Sequence, residues 1–101
     1  TDMLLPTESN VRKTIPITSG VLDYFPLAIA EVAKASYAGN QQHHSDKPLH
    51  WDKSKSTDHS DCISRHLIDR GKVDSDGIKH SAKLAWRALA LLQIELETEK
   101  E

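Results

Sequence analysis

The sequence predicts an all-α chain with three main helices, over about residues 26–38, 58–70 and 77–98, an extended N-terminal arm and a long loop over 40–57. Three observations carry that expectation. Residues 27–38 are alanine-rich and lie between a proline and a Gly-Asn pair. Residues 58–69, laid out at about 100° per residue, place Asp58, Asp61, Cys62, Arg65 and Asp69 on one side, with His66 at its edge and Ile63 and Leu67 opposite. Residues 77–98 carry Ile78, Ala82, Ala85, Leu89, Leu92 and Leu96 on one helical face.

Residues 1–22 read as an arm. Two prolines and scattered polar residues leave no helical period over Thr1–Ser19, which suits an extended segment or a short edge strand at Val11–Ile17. Such an arm either packs on a neighbour or frays, as chain ends do unless tied down. A single helical domain is expected over 23–101. Its first helix has Asp23 or Tyr24 as a cap, Pro26 in the first turn and Gly39-Asn40 as the stop. Glu31 is its sole acid, and a solvated surface charge competes with a functional reading there.

Gln41–Thr57 has no period and holds Pro48, three histidines, three lysines and Trp51. A loop of 17 residues is long enough to suggest a lid or a binding segment. Trp51 suits stacking on a base, and the lysines and histidines suit phosphate oxygens. Equally, Trp51 serves to pin the loop to the core. The second helix opens at a Ser56-Thr57-Asp58 cap and stops at Gly71, well placed for a left-handed conformation. A turn over 72–76 precedes the third helix, whose second face holds His80, Leu84, Arg87, Leu91 and Ile94. Apolar residues on both faces imply cover from the domain itself and from another subunit.

Composition bounds the partners. Chains of this length bury only roughly 60–70% of the surface they expose when unfolded, which favours a homo-oligomer, a dimer or higher. Net charge is −2 and the basic residues are scattered, so double-stranded nucleic acid is not expected as a ligand. The single cysteine, Cys62, excludes an intramolecular disulfide and fits a reducing compartment. No apolar run reaches the roughly 18 residues of a membrane span and no signal pattern opens the chain, so a cytoplasmic protein without a membrane partner is expected.

The densest chemistry lies between Ser56 and His80, which hold five aspartates and three of the six histidines. Zinc is poorly supported: His59 and His66 stand seven apart, whereas paired helical ligands sit three or four apart. Carboxylates argue better for magnesium or manganese, which prefer oxygen ligands. If the first helix packed antiparallel on the second, Glu31 would face Asp61, with Asp58 nearby and Arg65 and His66 one turn on, able to balance a phosphate. The competing reading is a solvated acidic face in which Arg65 pairs with Asp61 and Asp69. Cys62 has only His66 as a local base and reads as packed rather than nucleophilic.

The segments YFPLAIAEVAKASYAGNQQH and KPLHWDKSKSTDHSDCISRHLIDRGKVDSDGIKHSAKLAWRALALL resemble the phage and prophage family of dATP/dGTP diphosphohydrolase domain proteins. The likeness covers Tyr24 to about Glu97. It rests on the Gly39 and Trp51 segment, Arg65-His66-Leu67, the Asp74-x-Asp-Gly77-x-x-His80 turn and the Ala85-Trp86 helix. It implies an all-helical domain acting on purine deoxynucleoside triphosphates, akin to MazG-type enzymes that release pyrophosphate with Mg2+ or Mn2+. In those enzymes two helices supply acid pairs to the metal. Here Glu31 corresponds to the first pair and Asp58-His59-Ser60-Asp61 resembles the second, with Lys34 and Ala35 where a further acid is expected.

The expected site therefore has Glu31, Asp58 and Asp61 as metal ligands, and Glu31, Asp61 and His66 as catalytic groups. Lys34, Asn40, His44, Lys47, Trp51, Lys55, Arg65 and His80 would meet the purine nucleotide. The site would lie between the first two helices, the Asn40–Trp51 loop and the polar turn before the third. Two other functions are consistent with the same residues. One is a phage protein that sequesters a nucleotide or cyclic-nucleotide immune signal without cutting it; the other is a helical interaction module built on the third helix.

Overall fold

The computed structural model describes residues 4–55 and 57–99, and of His44 the backbone only. Among these residues the chain is helical, with no strand: α1 spans Ser9–Arg12, a π-helical turn Thr18–Leu22, α2 Pro26–His44, α3 His59–Ile68 and α4 His80–Glu99. No helix among the described residues is long and apolar enough to cross a membrane.

The described part of the arm is not extended. The Glu8 carboxylate accepts from the Asn10 N–H at 3.2 Å and caps α1. Beyond Pro16 the Asp23 N–H reaches the Thr18 carbonyl at 2.8 Å, a five-residue step that closes the π turn. Helices of four and five residues are too short to write an apolar period, so the sequence gives no periodic sign of them.

Pro26 occupies the first turn of α2 as expected, but the helix runs five residues past Gly39. Among the described residues only Gly71 and Gly77 have positive φ, so Gly39 is an ordinary helical residue. Asn40 does not stop the helix either. Its Nδ2 donates to the Lys47 carbonyl at 3.3 Å, so the side chain reaches forward to hold the following loop. That loop is tied at two further points. Lys53 Nζ bonds the Glu97 carboxylate at 2.6 and 2.8 Å, and Trp51 meets Trp86 edge-to-face with ring centroids 5.5 Å apart.

α3 and α4 form a helical hairpin. Gly71, at φ +86°, takes the left-handed conformation expected at the end of α3, and Gly77, at φ +83°, allows a tight turn before α4. An antiparallel bridge joins Val73 to Lys79, with Asp74 N–H on the Ile78 carbonyl at 2.8 Å. This turn delays the start of α4 from 77 to His80. α3 starts at His59, and Asp58 stands at the cap position without a side-chain cap bond because its carboxylate faces Cys62 and Arg65. Ser56, part of the expected cap, lies outside the described residues.

α4 is the shared neighbour: both α2 and α3 pack on it, and α2 packs on α4 rather than mainly on α3. The buried apolar residues among those described are few and mostly small, namely Cys62, Ile78, Ala82 and Ala90. The two alanines, eight residues apart on α4, let the neighbouring helices approach closely.

The apolar faces of α3 and α4 are only partly covered within one chain. On α3 the inward side is His59, Cys62 and the half-buried His66, while Leu67 and Ile68 are exposed. Polar groups on α4 face the same seam, Arg87 at Nδ1 of His59 and His80 at Nδ1 of His66, while His59 Nε2 has no hydrogen-bond partner among the described residues. On α4, Leu89, Leu92 and Leu96 remain 54%, 51% and 46% exposed among the described residues.

Candidate functional site

The α3–α4 seam is bonded at two rungs. His66 Nδ1 and His80 Nδ1 lie 2.9 Å apart, and Arg87 Nη1 lies 3.2 Å from His59 Nδ1. Seven residues separate the rungs on each helix, two turns, which sets the antiparallel register. A guanidinium only donates, so His59 accepts at Nδ1 and carries its proton on Nε2. In the His66–His80 pair one ring donates and the other accepts, so both cannot be charged while the bond holds. Burial, then the neighbouring His80 and Lys83, push the His66 pKa below its ordinary value.

At the N-terminal end of α4 an ion triad fixes the turn. Lys83 Nζ bonds Asp74 at 2.7 Å and Asp76 at 2.8 Å. The Lys83 bond, backed by the Ser75 N–H, brings the Asp74 carboxyl down to about 2, and the same ammonium lowers Asp76. Burial alone would lower the Lys83 pKa, but its bonds to the two carboxylates outweigh that and raise it. The unit is therefore charged across the physiological range.

Above these elements lies a cleft of about 570 Å³, within the range of small-molecule sites. The C-terminal half of α2 supplies one wall, with Ala35, Ser36, Gly39, Asn40, Gln42 and His43. The following loop supplies His50, Trp51, Asp52 and Lys55. Lys83, Trp86 and Arg87 of α4 form the opposite wall, with His66 of α3 and Asp76 of the turn at its margin. Asp52 is held by Ser54, whose hydroxyl and N–H donate at 2.6 and 3.1 Å and lower the carboxyl's pKa. Lys53 Nζ stands 5.1 Å from the Trp51 ring centre, a cation–π contact that steadies the indole.

Of the residues singled out in the sequence, Asn40, Trp51, Lys55 and His66 line this cleft. His80 adjoins it through His66, and Lys47 contributes its carbonyl to Asn40. The others stand elsewhere. Glu31 pairs with Lys34 at 2.9 Å along α2. Arg65 bonds Cys62 Sγ at 3.1 Å and reaches Asp58 at 3.5 Å, outside the cleft, while Asp61 is exposed. The side chain of His44 lies outside the described residues. The Cys62 thiol, with Arg65 and Arg87 adding, lowers the Asp58 pKa, so this carboxylate is engaged by cations and a thiol rather than by other acids.

Lys83, Trp86, Arg87, Asp76 and the buried His59 were not among the expected site residues. One signal for the α4 wall was present: His80, Lys83 and Arg87 recur at steps of three and four, a polar stripe within an apolar helix. His59 and Asp76 left no comparable sign, since each gains its role from a partner distant in sequence or from the turn.

Magnesium or manganese requires several oxygen ligands that converge. Among the described residues no group of three His, Cys, Asp or Glu side chains could hold a metal ion, and Glu31, Asp58 and Asp61 are engaged or placed as above. These residues do not fit a metal centre within one chain.

No match is found among curated proteins or among solved structures. A family model described as dATP/dGTP diphosphohydrolase, N-terminal, matches residues 9–101. With nearly the whole described fold inside that match, including every wall of the cleft, the chain belongs to the dATP/dGTP diphosphohydrolase N-terminal family.

Proposed function

We propose that the cleft binds a purine deoxynucleoside triphosphate, and that the protein serves the hydrolysis of dATP or dGTP to the monophosphate and pyrophosphate. The observation that carries this reading is the meeting of two indoles, a buried amide and cationic groups in one cleft of a chain from this family. Trp51 and Trp86 offer stacking surface for a base. Lys55 and Arg87 stand at the same walls and suit phosphate oxygens, Arg87 being held in place by His59. Lys83 is already shared by two carboxylates and acts in this reading as a brace for the turn.

His66 is the candidate proton acceptor. It borders the cleft, and its lowered pKa keeps the ring neutral at pH 7, the form that can take a proton from water. His80 positions it through the Nδ1 contact. No step is assigned to a metal, because among the described residues no three His, Cys, Asp or Glu side chains gather where they could hold one. Assembly as a homo-oligomer belongs to the same proposal, supported by the exposed Leu89, Leu92 and Leu96 on α4.

A second reading, binding without cutting, is favoured by that same dispersal of the acids. One experiment separates the two. The protein is incubated with each deoxynucleoside triphosphate in the presence of manganese, and the products are resolved by chromatography. Monophosphate with pyrophosphate from dATP or dGTP is the expected result. Full recovery of intact nucleotide, together with a melting temperature raised by dATP or dGTP, would instead establish the binder. Absence of both effects would remove the nucleotide reading.

A further inference from the structure

Asn40 is only 6% exposed, lines the cleft, and has an Oδ1 with no hydrogen-bond partner among the described residues. Buried polar atoms are nearly always paired, so such an acceptor beside a cavity marks a place where a donor belongs. The orientation of the amide is fixed by its other end. Nδ2 donates to the Lys47 carbonyl, and turning the amide over would set two acceptor oxygens against each other. Oδ1 is therefore the free atom, and the second N–H of Nδ2 accompanies it.

We propose that Asn40 reads the edge of the nucleobase, its Oδ1 accepting from the 6-amino group of adenine or the N1–H of guanine. The proposal rests on the purine-nucleotide reading of the cleft given above. One amide serves both bases. Its remaining N–H can donate to N1 of adenine or O6 of guanine while Oδ1 accepts from the neighbouring donor. Trp51 stands four residues beyond the Lys47 carbonyl that Asn40 holds, so the same contact ties the reading amide to the segment that supplies an indole to the cleft. Asn40 thus sets a requirement for a hydrogen-bond donor on the base, while ring size is left to the indoles.

The test compares dATP with 2′-deoxynebularine triphosphate, whose purine ring lacks only the 6-amino group. Binding is measured by isothermal titration calorimetry on the intact chain. The wild type is expected to bind dATP about tenfold more tightly, the factor associated with one such hydrogen bond. In Asn40→Leu the two ligands should bind within about twofold of each other, since no acceptor remains to distinguish them. A purely structural Asn40 would weaken both ligands alike in the variant and leave the wild-type ratio intact. Equal binding of the two ligands by the wild type, a measurement needing no variant, overturns the role of Asn40 and leaves the nucleotide cleft standing. If the wild type binds neither ligand, the nucleotide reading itself fails.

Discussion

Lys83 shows how one side chain can organise a turn and the wall above it. Its ammonium sits between two carboxylates that would otherwise repel each other, and it is mostly shielded from water. Replacing it as Lys83→Met should cost about 1–2 kcal/mol at pH 7, between the values for exposed and fully buried pairs. The pH dependence has a definite sign. Asp74 is held at about 2, below its ordinary value of 3.8, so its contribution is complete above about 4 and is lost as the pH falls towards 2. The gap between wild type and variant should therefore narrow between pH 4 and pH 2 in urea melts. A gap unchanged at pH 2 would mean that the triad does not supply the difference.

At the scale of elements, the α3–α4 seam is bonded by polar side chains. The periodicity of 58–69 separates two faces, but burial follows neither cleanly: His59 and Cys62 are buried, Ile63 and His66 are half-buried, and Asp61, Arg65 and Leu67 are exposed. Which face is buried depends on the opposing surface. Here α4 presents His80 and Arg87, and histidines 66 and 59 answer them rung for rung. This seam should respond to acid. The His66 pKa is depressed below 6.5, so its contribution is full above that value and is lost as the pH falls through the lowered pKa. Wild-type melting temperature is expected to drop between pH 7.5 and pH 5. His66→Gln should cost about 1 kcal/mol at pH 7.5. Its melting temperature should also fall less steeply with acid, and an equal slope in the two proteins would assign the pH response to other groups.

For the whole molecule, the balance between buried and exposed apolar surface is the main fact. Among the described residues four apolar side chains are buried, whereas leucines along α4 and aromatic residues such as Tyr24 and Phe25 are largely open to solvent. A second copy covering the Leu89, Leu92 and Leu96 side would offset that exposure. Light scattering should then give a mass that is a multiple of 11.3 kDa. Leu92→Glu should shift the protein towards the single-chain mass with little loss of helical signal. A wild type already at 11.3 kDa would refute self-association through this face.

Helicity, the proline start of α2, the left-handed Gly71 and the family were all legible in the chain, because each is written locally in caps, breakers, periods or contiguous motifs. Asn40, Trp51, Lys55 and His66 were also picked out, the first three in or beside the aperiodic stretch after the first helix and His66 at the edge of the polar stripe of the second. The sequence could not say that α4 would form the far wall, that Lys83, Trp86 and Arg87 would stand there, or that Glu31 would pair with Lys34. Nor could it show that His59 would be buried against Arg87. Those outcomes depend on which helix faces which, and helix pairing is chosen by the fit of whole surfaces, to which any one residue's spacing contributes only a part.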